Sequence, residues 1–284
     1  MQTLTKIPRK LWIFWYQGID SAPFIVKKCI NSWQVKNPGW EINLLDKDNL
    51  SNYITLDIPD SKLKELSLNK QANLIRLQLL SKYGGVWVDA TTLCICPLDD
   101  WVDSCCQSGF FAFSNAGKDR EMSNWFLASE KNCPLVQKLL EHNTLFFTNN
   151  TFRINGWFKQ KLIKKLCKVF NNNKKTTAYW LSPFVTKCLK VYPYFIFHYI
   201  FYQLISTDPE CKKIWHETTK ISPYNSRKIQ TIGFFSELTS EIIHEINNDI
   251  PYLYKLTWKY DHSLYKPTSL LYYVLEEGGF EQTD

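Results

Sequence analysis

The sequence lacks an apolar stretch long enough to cross a membrane. Its most apolar stretch, residues 191–207, falls short of the about 20 residues that a span needs, and it contains Pro193, His198 and Gln203. We therefore expect a buried helix there. We expect no signal peptide at the N-terminus, because basic residues interrupt it and the apolar run that follows is short.

A regular cysteine pattern is also missing. The nine cysteines are an odd number, and they show no repeated pair spacing. The pairs Cys94-x-Cys96 and Cys105-Cys106 have no partners at zinc-ligand spacing, so we expect packing residues. This usage favours a reduced, cytoplasmic compartment.

An excess of acidic residues is absent as well, since the formal net charge is +7. A basic balance favours anionic partners such as nucleotide phosphates, nucleic acid or an anionic membrane face. The chain has neither zinc-finger spacing nor an arginine-rich recognition helix. We therefore expect no nucleic-acid partner.

Aromatic residues, in contrast, are abundant. The chain has 284 residues, of which 45% are hydrophobic and 15% aromatic. This predicts a globular protein with one domain, or at most two. Flat aromatic faces stack on pyranose rings and nucleobases, so the many Trp and Tyr residues fit either a carbohydrate or nucleotide site or an aromatic-rich core.

Residues 70–99 contain the most informative pattern. Apolar residues at offsets of three and four predict a helix, which Gly84 and Gly85 end. Residues 86–88 (Val-Trp-Val) then predict a short buried strand, and Asp89 follows at its end. Ligand contacts lie at such strand ends in open α/β sheets. Asp89 is therefore either a metal or sugar ligand or the cap of the next turn.

The surrounding pattern predicts an α/β protein. Residues 10–16 are expected to form the first, central strand, and residues 40–45 a second strand after a helix at 23–34. This order indicates parallel strands with a right-handed crossover. A further strand is predicted at 109–114, and further helices at 134–146, 159–175, 191–207, 237–247 and 269–276.

Three motifs carry a resemblance to a known family. They are Ala72-Asn73-Leu74-Ile75-Arg76, Tyr83-Gly84-Gly85 and Asp89-Ala90-Thr91. This chain resembles the DXD-containing sugar transferases, which include glycosyltransferase family 32 and the large glucosylating toxins. It is most similar to their bacterial branch of capsular polysaccharide synthesis proteins, from about residue 7 to residue 273.

The resemblance implies a GT-A-like (Rossmann-like) nucleotide-sugar-binding fold, with a mixed central sheet and a helical C-terminal elaboration. It implies one domain over residues 1–284. Residues 1–130 would form the nucleotide-sugar-binding core, and residues 131–284 a mostly helical part on the acceptor side.

The resemblance also implies a donor site. Arg76 would contact the donor sugar and phosphate through its bidentate fork, unless it forms a surface salt bridge. Asn73 stands where relatives have aspartate, which implies a different donor sugar or weaker binding of the donor. The other implied donor contacts are Trp15, Tyr16 and Gln17 at the base, Gly85, Asp89, Thr91, Asn124, Lys255 and Lys259.

A divalent metal, Mn²⁺ or Mg²⁺, is implied at Asp89 with His262 as a second ligand. Thr91 replaces the second carboxylate of the motif, and divalent ions prefer charged oxygens. We therefore expect a weakly held ion, with much of its coordination supplied by the donor. Asp99, Asp100 and Asp103 follow a helix-start pattern and are expected to be caps.

Three features keep two interpretations each. Trp125 is either a sugar platform or a core ring, and His198 is either a structural histidine or a group near the acceptor. The basic helix at 159–175 either packs on the core or docks on an anionic inner membrane face.

The function implied is transfer of a sugar from a nucleotide-diphosphate donor, expected to be a UDP-sugar, to a surface or capsular polysaccharide. The acceptor would be a saccharide or a lipid-linked oligosaccharide, and the resemblance implies retention at the anomeric carbon. The residues expected to act in catalysis are Asp89, Arg76 and His198. The alternative is a non-catalytic carbohydrate-binding or scaffold protein, which the missing carboxylates at Asn73 and Thr91 would suit.

Overall fold

The computed structural model describes residues 6–153, 155–248 and 250–277. Within them, a five-stranded sheet has the order β2-β1-β3-β6-β5, and β4 pairs with β7 in a separate two-stranded sheet. The strands are β1 Lys10–Phe14, β2 Glu41–Leu45, β3 Gly85–Asp89, β4 Thr92–Cys94, β5 Phe110–Gly117, β6 Arg120–Ser129 and β7 Leu253–Lys255.

The large sheet is mixed. Strand β1 runs parallel to both β2 and β3, whereas β6 runs antiparallel to β3 and β5. The prediction that β1 is central was wrong: β3 is central, because the β5–β6 hairpin extends the sheet beyond it. The mixed sheet and the α/β class are as expected for a GT-A-like fold.

The helices surround the sheet and dominate the second half of the chain. The α-helices are α1 Phe24–Lys36, α2 Asp60–Glu65, α3 Leu68–Tyr83, α4 Val102–Cys105, α5 Pro134–Thr148, α6 Trp157–Phe170, α7 Ile196–Thr207, α8 Pro209–Glu217, α9 Lys228–Ile232, α10 Ser240–Asn247 and α11 Leu270–Tyr272. Short 3₁₀ turns lie at Leu50–Asn52, Leu98–Asp100, Thr176–Leu181, Asn225–Arg227 and His262–Leu264, and π turns at Phe184–Leu189 and Tyr273–Glu277.

Several helix boundaries differ from the prediction. Helix α7 begins at Ile196 rather than at residue 191, because the ring of Pro193 fixes φ and removes a donor. Helix α10 begins after Thr239, whose side chain accepts a hydrogen bond from the Ile242 amide. Helix α6 ends at Phe170, and the helix expected at 269–276 is a short α-turn followed by a π turn.

The sheet is buried on both faces. Leu11 and Val88 pack in one cluster with α1, whereas Trp12 and Trp87 pack in the other with α3, α5 and α7. Alternate residues of a strand point to opposite faces, so β1 and β3 need apolar side chains throughout.

The cysteines confirm the expected packing role. All nine are free, and Cys94, Cys105 and Cys106 are buried. Among the described helices, none combines the length and apolar composition that a membrane span requires.

Candidate functional site

A polar cavity of about 240 Å³ lies at the carboxyl end of β3. Helices α3 and α7, strands β6 and β7 and the turn at Asn225–Arg227 contribute its walls. We call it the central cavity; its lining residues are Asn69, Lys70, Asn73, Arg76, Asp89, Ala116, Arg120, Ser123, Asn124, Trp125, Tyr194, Phe195, His198, Arg227 and Lys255.

Arg76, which is buried, forms an ion pair with the half-buried Asp89 in this cavity. An Arg76 guanidinium nitrogen lies 3.3 Å from Asp89 Oδ1, and the guanidinium carbon lies 4.9 Å from the centre of the Trp87 ring. Trp87 Nε1 donates a hydrogen bond to Asp89 Oδ1 at 3.1 Å. Arg76 is 4% exposed, so it is not a surface salt bridge, and the two side chains hold each other in place.

Asn73 and Asn124 lie on the same wall. Asn124 Nδ2 donates a hydrogen bond to Asn73 Oδ1 at 2.9 Å, and Arg76 donates one to the backbone carbonyl of Asn124. The structure thus brings together four predicted donor contacts from α3, β3 and β6. Amides in such a position suit hydroxyl groups, because each amide offers both a donor and an acceptor.

The cavity is strongly cationic. Five basic side chains line it (Lys70, Arg76, Arg120, Arg227 and Lys255), and Asp89 is the only carboxylate among the described lining residues. Burial, and then the charge of Arg76, lowers the pKa of Lys70 to about 8. The Arg227 Nε atom is buried and has no hydrogen-bond partner in the part of the chain that the structure describes. This excess of positive charge suits an anionic ligand.

Sequence reasoning missed three of these cations. Lys70 opens the informative stretch but carries no pattern of its own. Arg120 follows a charged turn, and Arg227 lies in a short 3₁₀ turn far along the chain. Only the fold shows that these side chains share a cavity with Asp89.

His198 also lines the cavity, from α7. Burial, followed by the charges of Arg120, Lys70 and Arg76, holds the pKa of His198 well below its usual value. Its Nδ1 atom is buried and has no hydrogen-bond partner among the described residues. A buried neutral ring is compatible with both interpretations, so a role near the acceptor stays a prediction.

Trp125 fits both of its interpretations. It is buried and stacks on Phe113 with ring centroids 4.9 Å apart, as a core ring would. It also lines the central cavity, and its Nε1 atom has no hydrogen-bond partner within residues 6–153, 155–248 and 250–277.

Lys255 reaches Asp89 and Thr91 from β7. Its Nζ atom donates a hydrogen bond to Thr91 Oγ1 and lies 3.9 Å from Asp89 Oδ2. Burial lowers the pKa of Lys255, an effect that the charge of Asp89 opposes. Thr91 therefore contacts an ammonium group in this structure.

The base-binding candidates lie at the end of β1, beside Asp89. Phe14 is the register partner of Asp89, so Trp15 comes one residue beyond that edge. The Trp15 and Trp258 rings meet edge to face, with their centroids 5.7 Å apart. The Lys259 Nζ atom lies 5.2 Å from the centroid of the Trp258 ring. The C-terminal segment at Trp258 and Lys259 therefore lies beside the end of β1. Tyr16 and Gln17, which follow Trp15, are exposed.

Seven predicted residues are not among the described residues that line the cavity: Trp15, Tyr16, Gln17, Gly85, Thr91, Lys259 and His262. Gly85 begins β3, at the opposite end of that strand from Asp89, and a Cβ there would lie 2.3 Å from the Lys10 carbonyl oxygen. This glycine lets β1 and β3 approach each other. His262 packs against Tyr260 at 4.7 Å and is not among the residues that line the cavity.

The donor set around Asp89 fits a divalent metal poorly. Asp89 already faces Arg76 and Lys255, and in the described part of the chain no group of three or more His, Cys, Asp and Glu residues could hold a metal ion. Asp99 and Asp103, which were expected to cap a helix start, both form ion pairs with Arg9. The weakly held metal stays a prediction.

A family model described as "Capsular polysaccharide synthesis protein" matches residues 2–182. The chain belongs to this family. The match includes α3, β3 and the Asp89 end of the cavity, whereas His198, Arg227 and Lys255 lie beyond it.

Curated relatives and a solved structure give similar descriptions. The chain is 25% identical over 178 residues to the O-glycosyltransferase braB of Annulohypoxylon truncatum, covering 56% of this chain and 42% of that protein. It is 24% identical over 159 residues to the initiation-specific alpha-1,6-mannosyltransferase of Candida albicans, covering 47% and 41%. The chain thus spans less than half the length of these relatives. The UDP-bound glycosyltransferase domain of the YGT toxin aligns with 85% of this chain and 89% of its own, at 10% identity and a TM-score of 0.40.

Proposed function

We propose that the chain transfers a sugar from a nucleotide-diphosphate donor, a UDP-sugar, to a saccharide acceptor of surface or capsular polysaccharide synthesis. The observation that carries this proposal is the central cavity, whose described lining contains five basic side chains and one carboxylate, Asp89 at the end of β3. Family membership and the glycosyltransferase names of the relatives support it.

The proposed chemistry follows from these charges. As the bond between the anomeric carbon and the phosphate oxygen breaks, negative charge develops on the diphosphate. Arg76 is already oriented by Asp89 and Trp87, so it stabilises that charge without reorganisation. Asn73 and Asn124 hold sugar hydroxyls, and neutral His198 contacts the acceptor hydroxyl. We include retention at the anomeric carbon in the proposal, on the resemblance alone.

A peripheral membrane contact is a second part of the proposal. Helix α6 packs Ile163 and Leu166 on the core, yet Trp157 is 65% and Phe158 80% exposed. Its exposed face also carries Lys161, Lys164, Lys165 and Lys168, and the helix has no acidic residue. Exposed rings beside lysines suit an anionic lipid surface, where a lipid-linked acceptor would lie.

Thermal shift with a panel of nucleotides tests the proposal. A ligand that binds only the folded state raises the melting temperature by mass action. We expect UDP and UDP-sugars to raise it, and the corresponding free sugars to have little effect. A panel in which free saccharides stabilise and nucleotides do not would favour the non-catalytic carbohydrate-binding alternative.

A further inference from the structure

The main chain fixes Lys255 beside the Asp89-Ala90-Thr91 motif. Lys255 is the register partner of Thr92 in the antiparallel pair of β4 and β7. The next amide, of Leu256, donates a hydrogen bond to the Thr91 carbonyl oxygen at 2.8 Å. Because these are backbone contacts, the strand pairing places the main chain of Lys255 beside the motif, within reach of its side chain.

The ammonium group lies between Asp89, the expected metal ligand, and Thr91, which stands where relatives have the second carboxylate of the motif. It donates a hydrogen bond to Thr91 Oγ1 and faces Asp89 Oδ2 at 3.9 Å. The side chain is 18% exposed, so the charge lies inside the cavity. The position between Asp89 and Thr91 therefore already holds a cation.

The remaining charges of the cavity disfavour a further cation. Lys70, Arg76, Arg120 and Arg227 line the same space, and each repels a divalent ion. A divalent ion also needs about six oxygen ligands, whereas Asp89 is the only carboxylate among the described lining residues. The same cavity suits a diphosphate, because its basic side chains attract negative charge.

We propose that Lys255 takes the place of the divalent cation, so that the nucleotide diphosphate binds and reacts without a metal. The inference rests on the proposed function, since it assumes a nucleotide-sugar donor. When the bond from the anomeric carbon to the phosphate oxygen breaks, its electron pair goes to that oxygen. Lys255 and Arg76 stabilise this charge. The acceptor oxygen forms the new bond to the anomeric carbon, and its proton goes to the leaving phosphate.

Calorimetry with UDP, in buffer with EDTA and in buffer with Mn²⁺, tests the inference. We expect wild type to bind UDP equally well in both buffers, within about twofold. Lys255→Met keeps the aliphatic stem and removes the charge, and hydrogen bonds to charged groups stabilise strongly. We therefore expect its binding in EDTA to be at least roughly tenfold weaker. Lys255→Arg should retain part of the affinity. Lys213→Met, an exposed lysine on α8, is the matched control and should bind as wild type does.

A second variant tests whether the site becomes metal-dependent once the ammonium group is replaced by a second carboxylate. Thr91→Asp combined with Lys255→Met restores two carboxylates and removes the ammonium. This double variant should bind UDP only when Mn²⁺ is present, as a metal-dependent site does.

The outcomes separate the inference from the proposed function. If wild type binds UDP only with Mn²⁺, the role of Lys255 is overturned and the proposed function still stands. The same holds if Lys255→Met binds UDP in EDTA as tightly as wild type does. Absence of binding of both UDP and GDP in either buffer overturns the proposed function itself. If Lys255→Met does not fold, as circular dichroism would show, the wild-type comparison of the two buffers still decides.

Discussion

At the scale of single residues, Asp89 is the group on which the cavity depends. It accepts a hydrogen bond from Trp87 and pairs with Arg76, so removing it leaves a buried guanidinium without its partner. We expect Asp89→Ala to lower sugar transfer by about a hundredfold or more, the range for loss of one preorganised electrostatic contact, with the fold intact by circular dichroism.

The matched control for this variant is Asp57→Ala, an exposed aspartate that should leave transfer unchanged. Wild-type turnover by Asp89→Ala would remove this residue from the reaction.

His198 gives a prediction about pH and stability. The folded-state pKa of His198 lies well below that of the unfolded chain, which is about 6.5. Below that pH the unfolded chain binds a proton that the folded chain does not, so the stability of the folded state falls as the pH falls. We expect the free energy of unfolding of wild type to drop, relative to His198→Asn, as the pH falls below the unfolded value, with a slope of at most about 1.4 kcal/mol per pH unit.

Chemical denaturation of both proteins between about pH 7.5 and about pH 5.5 measures this difference. A constant difference across that range would show that the pKa of His198 is the same in the folded and the unfolded chain, so that folding does not hold the ring neutral.

At the scale of elements, the end of β1 and the C-terminal segment form the expected base site. Trp15 meets Trp258 edge to face, which gives a nucleobase an aromatic surface beside Asp89. Base–aromatic stacking contributes about 1–3 kcal/mol. Trp15→Ala should therefore weaken UDP binding at least roughly tenfold by calorimetry, whereas Trp15→Phe, which keeps a ring, should retain most of the affinity. Equal affinity of Trp15→Ala and wild type would move the base elsewhere.

Helix α6 is the element that carries the membrane proposal. Each basic side chain near an anionic surface contributes about 1 kcal/mol. Lys164→Gln combined with Lys168→Gln should weaken binding to phosphatidylserine-containing vesicles roughly tenfold or more in sedimentation. The control pair on α8, Lys212→Gln with Lys213→Gln, should bind as wild type does. Equal binding of wild type to neutral phosphatidylcholine vesicles and to anionic ones would contradict the charge argument.

At the scale of the whole molecule, local pattern predicted the elements better than their arrangement. The apolar triplet between Gly85 and Asp89 predicted β3 because a strand buried on both faces needs apolar side chains throughout. The same reasoning placed β1 at the centre, since sequence pattern does not show that the β5–β6 hairpin pairs on the far side of β3.

Some residues of the candidate site could likewise be predicted from local sequence, and others could not. Asn73, Arg76 and Asp89 could be predicted from the resemblance, because its motifs lie close together in the chain, on one helix and at the end of the strand that follows it. Arg120 and Arg227 were missed because they meet the cavity only through long-range packing, which no local spacing records. Lys255 was expected at the diphosphate, yet its contact with Thr91 depends on the β4–β7 pairing and could not be read from the chain.

Hydrolysis of a UDP-sugar without acceptor is the measurement that tests the central claim most directly. A transferase with a cationic cavity at the diphosphate should release free sugar and UDP slowly, with water in place of the acceptor hydroxyl. The account predicts slow release by wild type, with loss of release in Asp89→Ala. A wild-type protein that binds the UDP-sugar tightly and releases no sugar, with or without a saccharide acceptor, would contradict catalysis and show a binding module instead.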